Sequence, residues 1–232
     1  MNFAIISAGE GSRLAAEGID TPKPLIAVNG MTLIDRLIDI FVRNGASSAS
    51  VIVNAGNRQT IAHLQAKRLD IPFNLVIKTT PGSMYSLYEL KPFLHKAPFC
   101  LTTVDTVFRE DEFTACINEF RKNRHIDGLM GATDFIDDEK PLFLNVDDDL
   151  RILDFCDERP PAGKYVSGGI YCLHPAAWRI LDDAMQSGIN RMRDFQRQLV
   201  RNGLRLKAFP FSKIVDIDHA ADIAVAEKLV NG

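Results

Sequence analysis

No apolar run in this chain approaches the roughly 20 residues that span a bilayer. Nor is there an excess of basic charge: 27 Lys and Arg face 30 Asp and Glu, for a net charge of −3. A broad nucleic-acid surface calls for a basic excess, so that class of partner is disfavoured. The opening segment MNFAIISAGEG has neither the basic start nor the long apolar core of a signal peptide. Cysteine is sparse, with Cys100, Cys116, Cys156 and Cys172 widely spaced and no C-x-x-C pair. Without an export signal these four are expected to be reduced, mostly buried thiols. Repeats, low-complexity tracts and long linkers are missing as well. These absences lead us to expect one cytoplasmic domain over residues 1–232, without membrane or nucleic-acid partners.

What is present is an alternation of strand-like and helix-like periods. FAII reads as a short buried strand. TLIDRLIDIFVRNG has apolar residues at 33, 34, 37, 38, 41 and 42, which is helical spacing, with Thr32 placed to cap the start and Gly45 to end it. SVIVNA is the next strand, residues 57–68 read as helix, FNLVIK as strand, residues 84–94 as helix, and FCLTTVD as a strand ending in an acid. This rhythm implies a mostly parallel sheet between helical layers. After residue 125, GLMGAT, LFLNVD, RILDF and YVSGGIYCL are strand-like with short links, an antiparallel excursion over about residues 125–175. Helices near 175–185 and 190–202, strands LKAFPF and KIVDID, and a last helix AADIAVAEKLV complete the pattern.

The stretch AIISAGEGSRLAAEGIDTPKPL places unusual residues beside the first strand. Ligands of doubly wound sheets sit beyond the carboxyl ends of the strands, where this loop leaves. Gly9 and Gly11 let the backbone approach a ligand and adopt positive φ. Arg13 offers a planar fork for a polyphosphate, and Lys23 a point charge on a path restricted by Pro22 and Pro24. The loop is not a Walker A sequence, and a dinucleotide G-x-G-x-x-G fails at Leu14.

SAGEGSRL…TPKPL resembles the signature of the nucleoside-triphosphate transferase family, which includes sugar-phosphate nucleotidyltransferases and phosphocholine cytidylyltransferase-like enzymes. Later segments fit the family in order through most of the chain. The resemblance implies a Rossmann-like three-layer α/β fold, with a mostly parallel mixed sheet and a small antiparallel insertion. It implies an enzyme that joins a nucleoside triphosphate to a phosphorylated small molecule and releases pyrophosphate, with Mg²⁺ as cofactor. Nucleotide binding then falls to Ala8, Gly9, Gly11, Ser12 and Arg13, and catalysis to Arg13, Lys23 and Asp105. Asp105, Asp216 and Asp218 take the metal-ligand roles. Asp216 and Asp218 alternate at period two, so an ideal strand turns both to one face. Asp222 is expected in the first turn of the last helix, favourable to its dipole. CDERPPAGKYVSGGIYCL resembles the acceptor segment, giving Glu158 the sugar-hydroxyl role, Arg159 the phosphate role, and Gly169 a close approach to the acceptor. Arg159 stands where the family usually has lysine.

TTPGSMYSLYEL occupies the family's base-recognition position but departs from the sugar-enzyme pattern. It is similar to the S-L-Y run of phosphocholine and related cytidylyltransferases. Ser83 or Ser86 is then a candidate for a pyrimidine edge, favouring CTP or UTP, while Tyr85 and Tyr88 are either ligand-facing rings or plain core. The acceptor stays open between a sugar 1-phosphate, phosphocholine, an inositol phosphate and a phosphonate, and a homo-oligomer stays open too. A non-catalytic nucleotide- or sugar-phosphate-binding regulator is the alternative outside enzymes. A glycosyltransferase is disfavoured because VDT at 104–106 is not a D-x-D motif.

Overall fold

Phe3 and Ile5 of β1 (Asn2–Ser7) point into one apolar cluster and Ala4 and Ile6 into another, so the strand is buried on both faces. That double burial is characteristic of parallel strands roofed by helices on both sides. The computed structural model describes residues 1–9, 12–137, 139–161 and 163–231. After β1 come α1 (Ser12–Ala16), a 3-10 turn at Lys23–Leu25, β2 (Ala27–Val28), β3 (Met31–Thr32) and α2 (Leu33–Arg43). Then follow β4 (Ser48–Val53), α3 (Arg58–Ala66), β5 (Phe73–Ile77), α4 (Ser83–Leu94), β6 (Phe99–Thr103), β7 (Thr106–Phe108) and α5 (Glu110–Lys122). The second half holds β8 (Gly128–Thr133), β9 (Phe143–Val146), β10 (Ile152–Cys156), β11 (Tyr165–Leu173), α6 (Ala177–Gln186), α7 (Met192–Arg201), β12 (Leu206–Phe211), β13 (Ile214–Asp216) and α8 (Ala220–Asn231).

The main sheet runs β10-β9-β11-β6-β1-β4-β5, with β8 against β11 and β12 against β8. Its β6-β1-β4-β5 half is parallel, while β11 runs antiparallel to β6, β8 and β9. This is the mixed α/β architecture expected. The antiparallel half turns on one irregularity in β11. Ser167 pairs with Ala132 but Tyr171 with Met130, so the register slips across Gly168 and Gly169. The N-terminal part of β11 therefore pairs with β9 and the C-terminal part with β6. Bulges of this kind re-aim a strand and collect near functional sites.

Thr32 caps α2 by accepting from Asp35 N at 3.2 Å, and Gly45 takes φ +66 just past its end, as the sequence predicts. Helix α5 was not foreseen, although Phe113, Cys116, Ile117 and Phe120 recur at helical spacing and all are buried. Its Phe113 ring lies 4.8 Å from Phe108, 6.0 Å from Phe41 and 6.4 Å from Phe3, centroid to centroid. Phe113→Ala is expected to cost about 3–5 kcal/mol of unfolding free energy through lost burial and a residual cavity. Urea denaturation with an unchanged m-value checks it. The four thiols are free, with Cys100, Cys116 and Cys172 buried and Cys156 partly so. Among the described residues no helix is long and apolar enough to cross a membrane.

Candidate active site

The carboxyl ends of β1, β4 and β6 open into a cleft of about 610 Å³. Its walls carry Ala8, Gly9 and Arg13 from the first loop, Lys23 from the 3-10 turn, Thr80 to Ser83 and Ser86 at the start of α4, and Asp105 after β6. Pro22 enters the turn at φ −53 and Pro24 is buried, so the chain on both sides of Lys23 is pinned. Gly9 does not take positive φ, contrary to expectation. What it supplies is room: a Cβ there would meet nothing within 4 Å. Gly11 lies outside the described residues, and Ser12 opens α1.

Four predicted residues converge here from distant parts of the chain. Lys23 Nζ donates to Asp105 Oδ2 and to Asp218 Oδ1, each at 2.7 Å. Arg13 Nη1 donates to Asp218 Oδ2 at 2.8 Å, and its Nη2 lies 3.9 Å from Glu139. Burial pulls the Lys23 ammonium toward deprotonation, but the Asp105 and Asp218 carboxylates outweigh it and the net shift is upward, so Lys23 stays charged. Burial raises the Asp218 carboxyl, and the cations of Lys23 and Arg13 more than reverse that.

Strand β13 ends at Asp216, so the period-two expectation for Asp216 and Asp218 does not apply. Asp216 accepts from Thr106 Oγ1 at 3.0 Å, and Thr106 is 2.6 Å from Thr103 Oγ1. Asp218 lies beyond the strand, in the turn before α8. Asp222 sits in the first turn of α8 as expected, and its Oδ2 accepts from the amides of Asp218 and His219 at 2.9 and 2.7 Å. Asp216 keeps solvent-exposed surface, yet the protein packed around its carboxyl, then the charges of Asp105 and Asp218, push it up to about 7.

Gly169 has a positive φ of +71. A Cβ at this position would stand 2.6 Å from Thr106 Oγ1 and 2.9 Å from Thr103 Oγ1. Glycine is thus needed for both conformation and space. Beside it a second recess of about 310 Å³ shares Ser83, Thr103 and Asp105 with the main cleft and is walled by Ser167, Tyr171, Gln196 and Asp216.

Other predicted residues are placed differently. Glu158 and Arg159 are exposed and border neither cavity; Arg159 Nε donates to Gly163 O at 2.8 Å. Tyr88 is exposed and Tyr85 half-buried, and neither ring borders the cleft, whereas Ser83 and Ser86 do. The Ser86 hydroxyl is 2.6 Å from Thr80 Oγ1. Thr103, Thr106, Tyr171 and Gln196 were not singled out from sequence. The available signal was Gln196 itself, a polar residue next to Phe195 on the buried face of α7.

Clustered cations and acids line a cleft at the carboxyl ends of a mostly parallel sheet, as suits a phosphorylated ligand, and the chain falls in the class of nucleoside-triphosphate transferases. The chain belongs to that class: residues 3–150 match the MobA-like NTP transferase domain. A 52-residue stretch is 44% identical to a 2-aminoethylphosphonate cytidylyltransferase of Lancefieldella rimae, covering 22% of this chain and 21% of that relative's length. Two solved structures share the fold over nearly the whole chain. The inositol-1-phosphate CTP transferase of T. maritima is 20% identical with a TM-score of 0.80, over 98% of this chain and 95% of that one. A Bacillus anthracis protein assigned as a glucose-1-phosphate thymidylyltransferase, in complex with sucrose, is 16% identical with a TM-score of 0.85, over 99% and 94%.

Proposed function

We propose that this protein transfers a nucleotidyl group from CTP to a small phosphate or phosphonate and releases pyrophosphate. The observation that carries the reading is the convergence of Arg13, Lys23, Asp105 and Asp218 at the mouth of one cleft. CTP is favoured because two of the similar proteins are named for cytidylyl or CTP transfer. Ser83 and Ser86, in the cleft wall, are the groups offered to a pyrimidine.

The acceptor's phosphoryl oxygen attacks the α-phosphorus, the α–β bridging P–O bond breaks, and the electron pair leaves on pyrophosphate. No covalent intermediate with the protein is needed, so catalysis is positioning and charge stabilisation. Lys23, released from one of its two carboxylates, holds the α-phosphoryl and the attacking oxygen. Arg13, half exposed on a short helix, turns from Asp218 to the departing β and γ phosphates.

The carboxylates fit a hard divalent cation. All donors are carboxylate oxygens, the kind a hard divalent cation takes. Among the described residues no group of three or more His, Cys, Asp or Glu stands ready to hold a metal. Mg²⁺ is commonly held by one or two carboxylates with substrate phosphates. Asp105 and Asp216 are the pair for that role, while Asp218 steers Lys23 and Arg13. When bound, Mg²⁺ would offset charge on the phosphate oxygens.

The test is pyrophosphate release with Mg²⁺, crossing the four nucleoside triphosphates with inositol 1-phosphate, glucose 1-phosphate, phosphocholine and 2-aminoethylphosphonate. Release with CTP and one acceptor is the expected result. A folded protein that binds CTP and releases nothing with any of the four would overturn the assignment in favour of a nucleotide-binding regulator.

A further inference from the structure

The short helix that carries Arg13 is held in place by a side chain that no motif marks. Helix α1 has five residues; Leu14 is buried, while Arg13, Ala15 and Ala16 are exposed. A helix of this length is marginal by itself, so its position depends on tertiary ties. Glu17 follows it directly. Its amide closes the last turn on Arg13 O at 3.2 Å and on Leu14 O at 3.1 Å, and Gly18 then takes φ +86. The Glu17 carboxylate reaches across the fold to the start of α8. Its Oε1 meets His219 Nδ1 at 2.5 Å, and its Oε2 accepts from Ala220 N at 2.7 Å. Glu17 itself borders neither the cleft nor the recess.

The far end of this tie is a fixed platform. Ile217 is fully buried, and its amide donates to Asp105 O at 3.1 Å. Asp222 Oδ2 takes the amides of Asp218 and His219, so Asp222 and Glu17 divide between them the three amides that lead into α8. Two carboxylates at a helix N-terminus also suit its dipole. Asp218 stands in the same turn, and its Oδ2 receives Arg13 Nη1 at 2.8 Å. The circuit is closed: the Arg13 backbone holds the Glu17 amide, the Glu17 carboxylate holds residues 219 and 220, and Asp218 holds the Arg13 fork. Every link but the last persists when Arg13 turns to a phosphate. By charge alone a carboxylate so near that arginine works against an anionic ligand. Its geometry is what it contributes.

We infer that Glu17 is a positioning residue: by tying α1 to the turn of Asp218, it fixes where Arg13 meets the departing phosphates. The inference rests on the nucleotidyl-transfer reading and adds to it a residue outside the reacting groups. Small displacements of a phosphate-holding arginine matter because catalysis here is positioning and charge stabilisation.

The experiment has a binding and a kinetic arm. In the first, calorimetry without added metal measures binding of pyrophosphate and of CTP to the parent, Glu17→Ala, Glu17→Gln, Arg13→Ala and the double variant Glu17→Ala/Arg13→Ala. Glu17→Ala is expected to weaken both ligands about tenfold, the loss of one charge-assisted hydrogen bond from a misplaced Arg13. Charge alone predicts the opposite sign, since removing a carboxylate favours an anion. Glu17→Gln removes the charge but keeps an oxygen for the Ala220 amide, so it should bind both ligands at least as well as the parent. The double variant should lose no more than Arg13→Ala alone, because both changes act through one side chain. Glu17→Ala binding equal to or tighter than the parent's overturns the inference. So does an additive loss in the double variant, which a general loosening of the fold would give. In the second arm, pyrophosphate release is measured with CTP and the four acceptors named above, and kcat/KM for CTP should fall in Glu17→Ala and recover in Glu17→Gln. No turnover by the parent, with the expected binding pattern, overturns the transfer reading and upholds the role of Glu17. A parent that binds neither pyrophosphate nor CTP overturns both.

Discussion

Lys23→Ala is expected to lower kcat by about two to three orders of magnitude, the usual loss when one preorganised donor to a developing oxyanion is removed. Its melting temperature is expected to change little. The side chain is mostly buried and joins two carboxylates, but those carboxylates are partly hydrated and Asp218 keeps Arg13. What the protein loses is the cation that bridges Asp105 and Asp218. Lys23→Arg keeps the charge but presents a broad planar fork where a compact ammonium bridges two acids at 2.7 Å each. It should recover only part of the rate. Pyrophosphate release and thermal denaturation on the same samples decide the matter. A large fall in melting temperature that matched the loss of turnover would make Lys23 a structural residue.

The second large effect is expected at Gly169. Gly169→Val puts a branched side chain where φ is +71 and where even a Cβ would crowd two threonine hydroxyls. The left-handed conformation alone costs about 1–3 kcal/mol for a residue with a side chain. Relief of the clash must move Thr103 or Thr106, and Thr106 is the group that holds Asp216. Stability and kcat should therefore fall together. Thr106→Val separates the two effects. It removes the donor to Asp216 while nearly preserving shape, so kcat should fall with a much smaller loss of stability. A Gly169→Val protein with parental turnover would mean that the bulge of β11 does not set the Asp216 carboxylate.

Much of the molecule was legible because its elements obey local rules. The helices α2 and α4 and the strands β1, β4, β5 and β6 lie close to where period and capping residues put them. Arg13 and Lys23 stood out because glycines and prolines beside cations have few other uses, while Asp105 came from its place at a strand end and from the family resemblance. Helix α5 was passed over although its apolar spacing was present. The short strand β7 was missed because three residues carry no period. Asp216 and Asp218 reach the site, but by a strand end and a turn rather than along one strand face. The acceptor assignments to Glu158 and Arg159 followed the order of motifs along the chain. In space, neither borders the recess beside Asp105, whose wall includes residues of β11 and α7. No local pattern could reveal that Gln196 borders it and accepts from Ser167, which lies 29 residues away.

By itself, the sequence determined the α/β layering, the first loop with its pinned lysine, and the acids available to the site. These follow from near-neighbour physics: side-chain period, backbone restriction by proline, and capping. Only the tertiary structure decided which acids meet which cations, why position 169 must be glycine, and which residues wall the second recess. Those outcomes depend on contacts between residues up to 205 positions apart, such as Arg13 with Asp218. Long-range packing alone sets such distances, and the energies of charges and buried hydrogen bonds depend steeply on them.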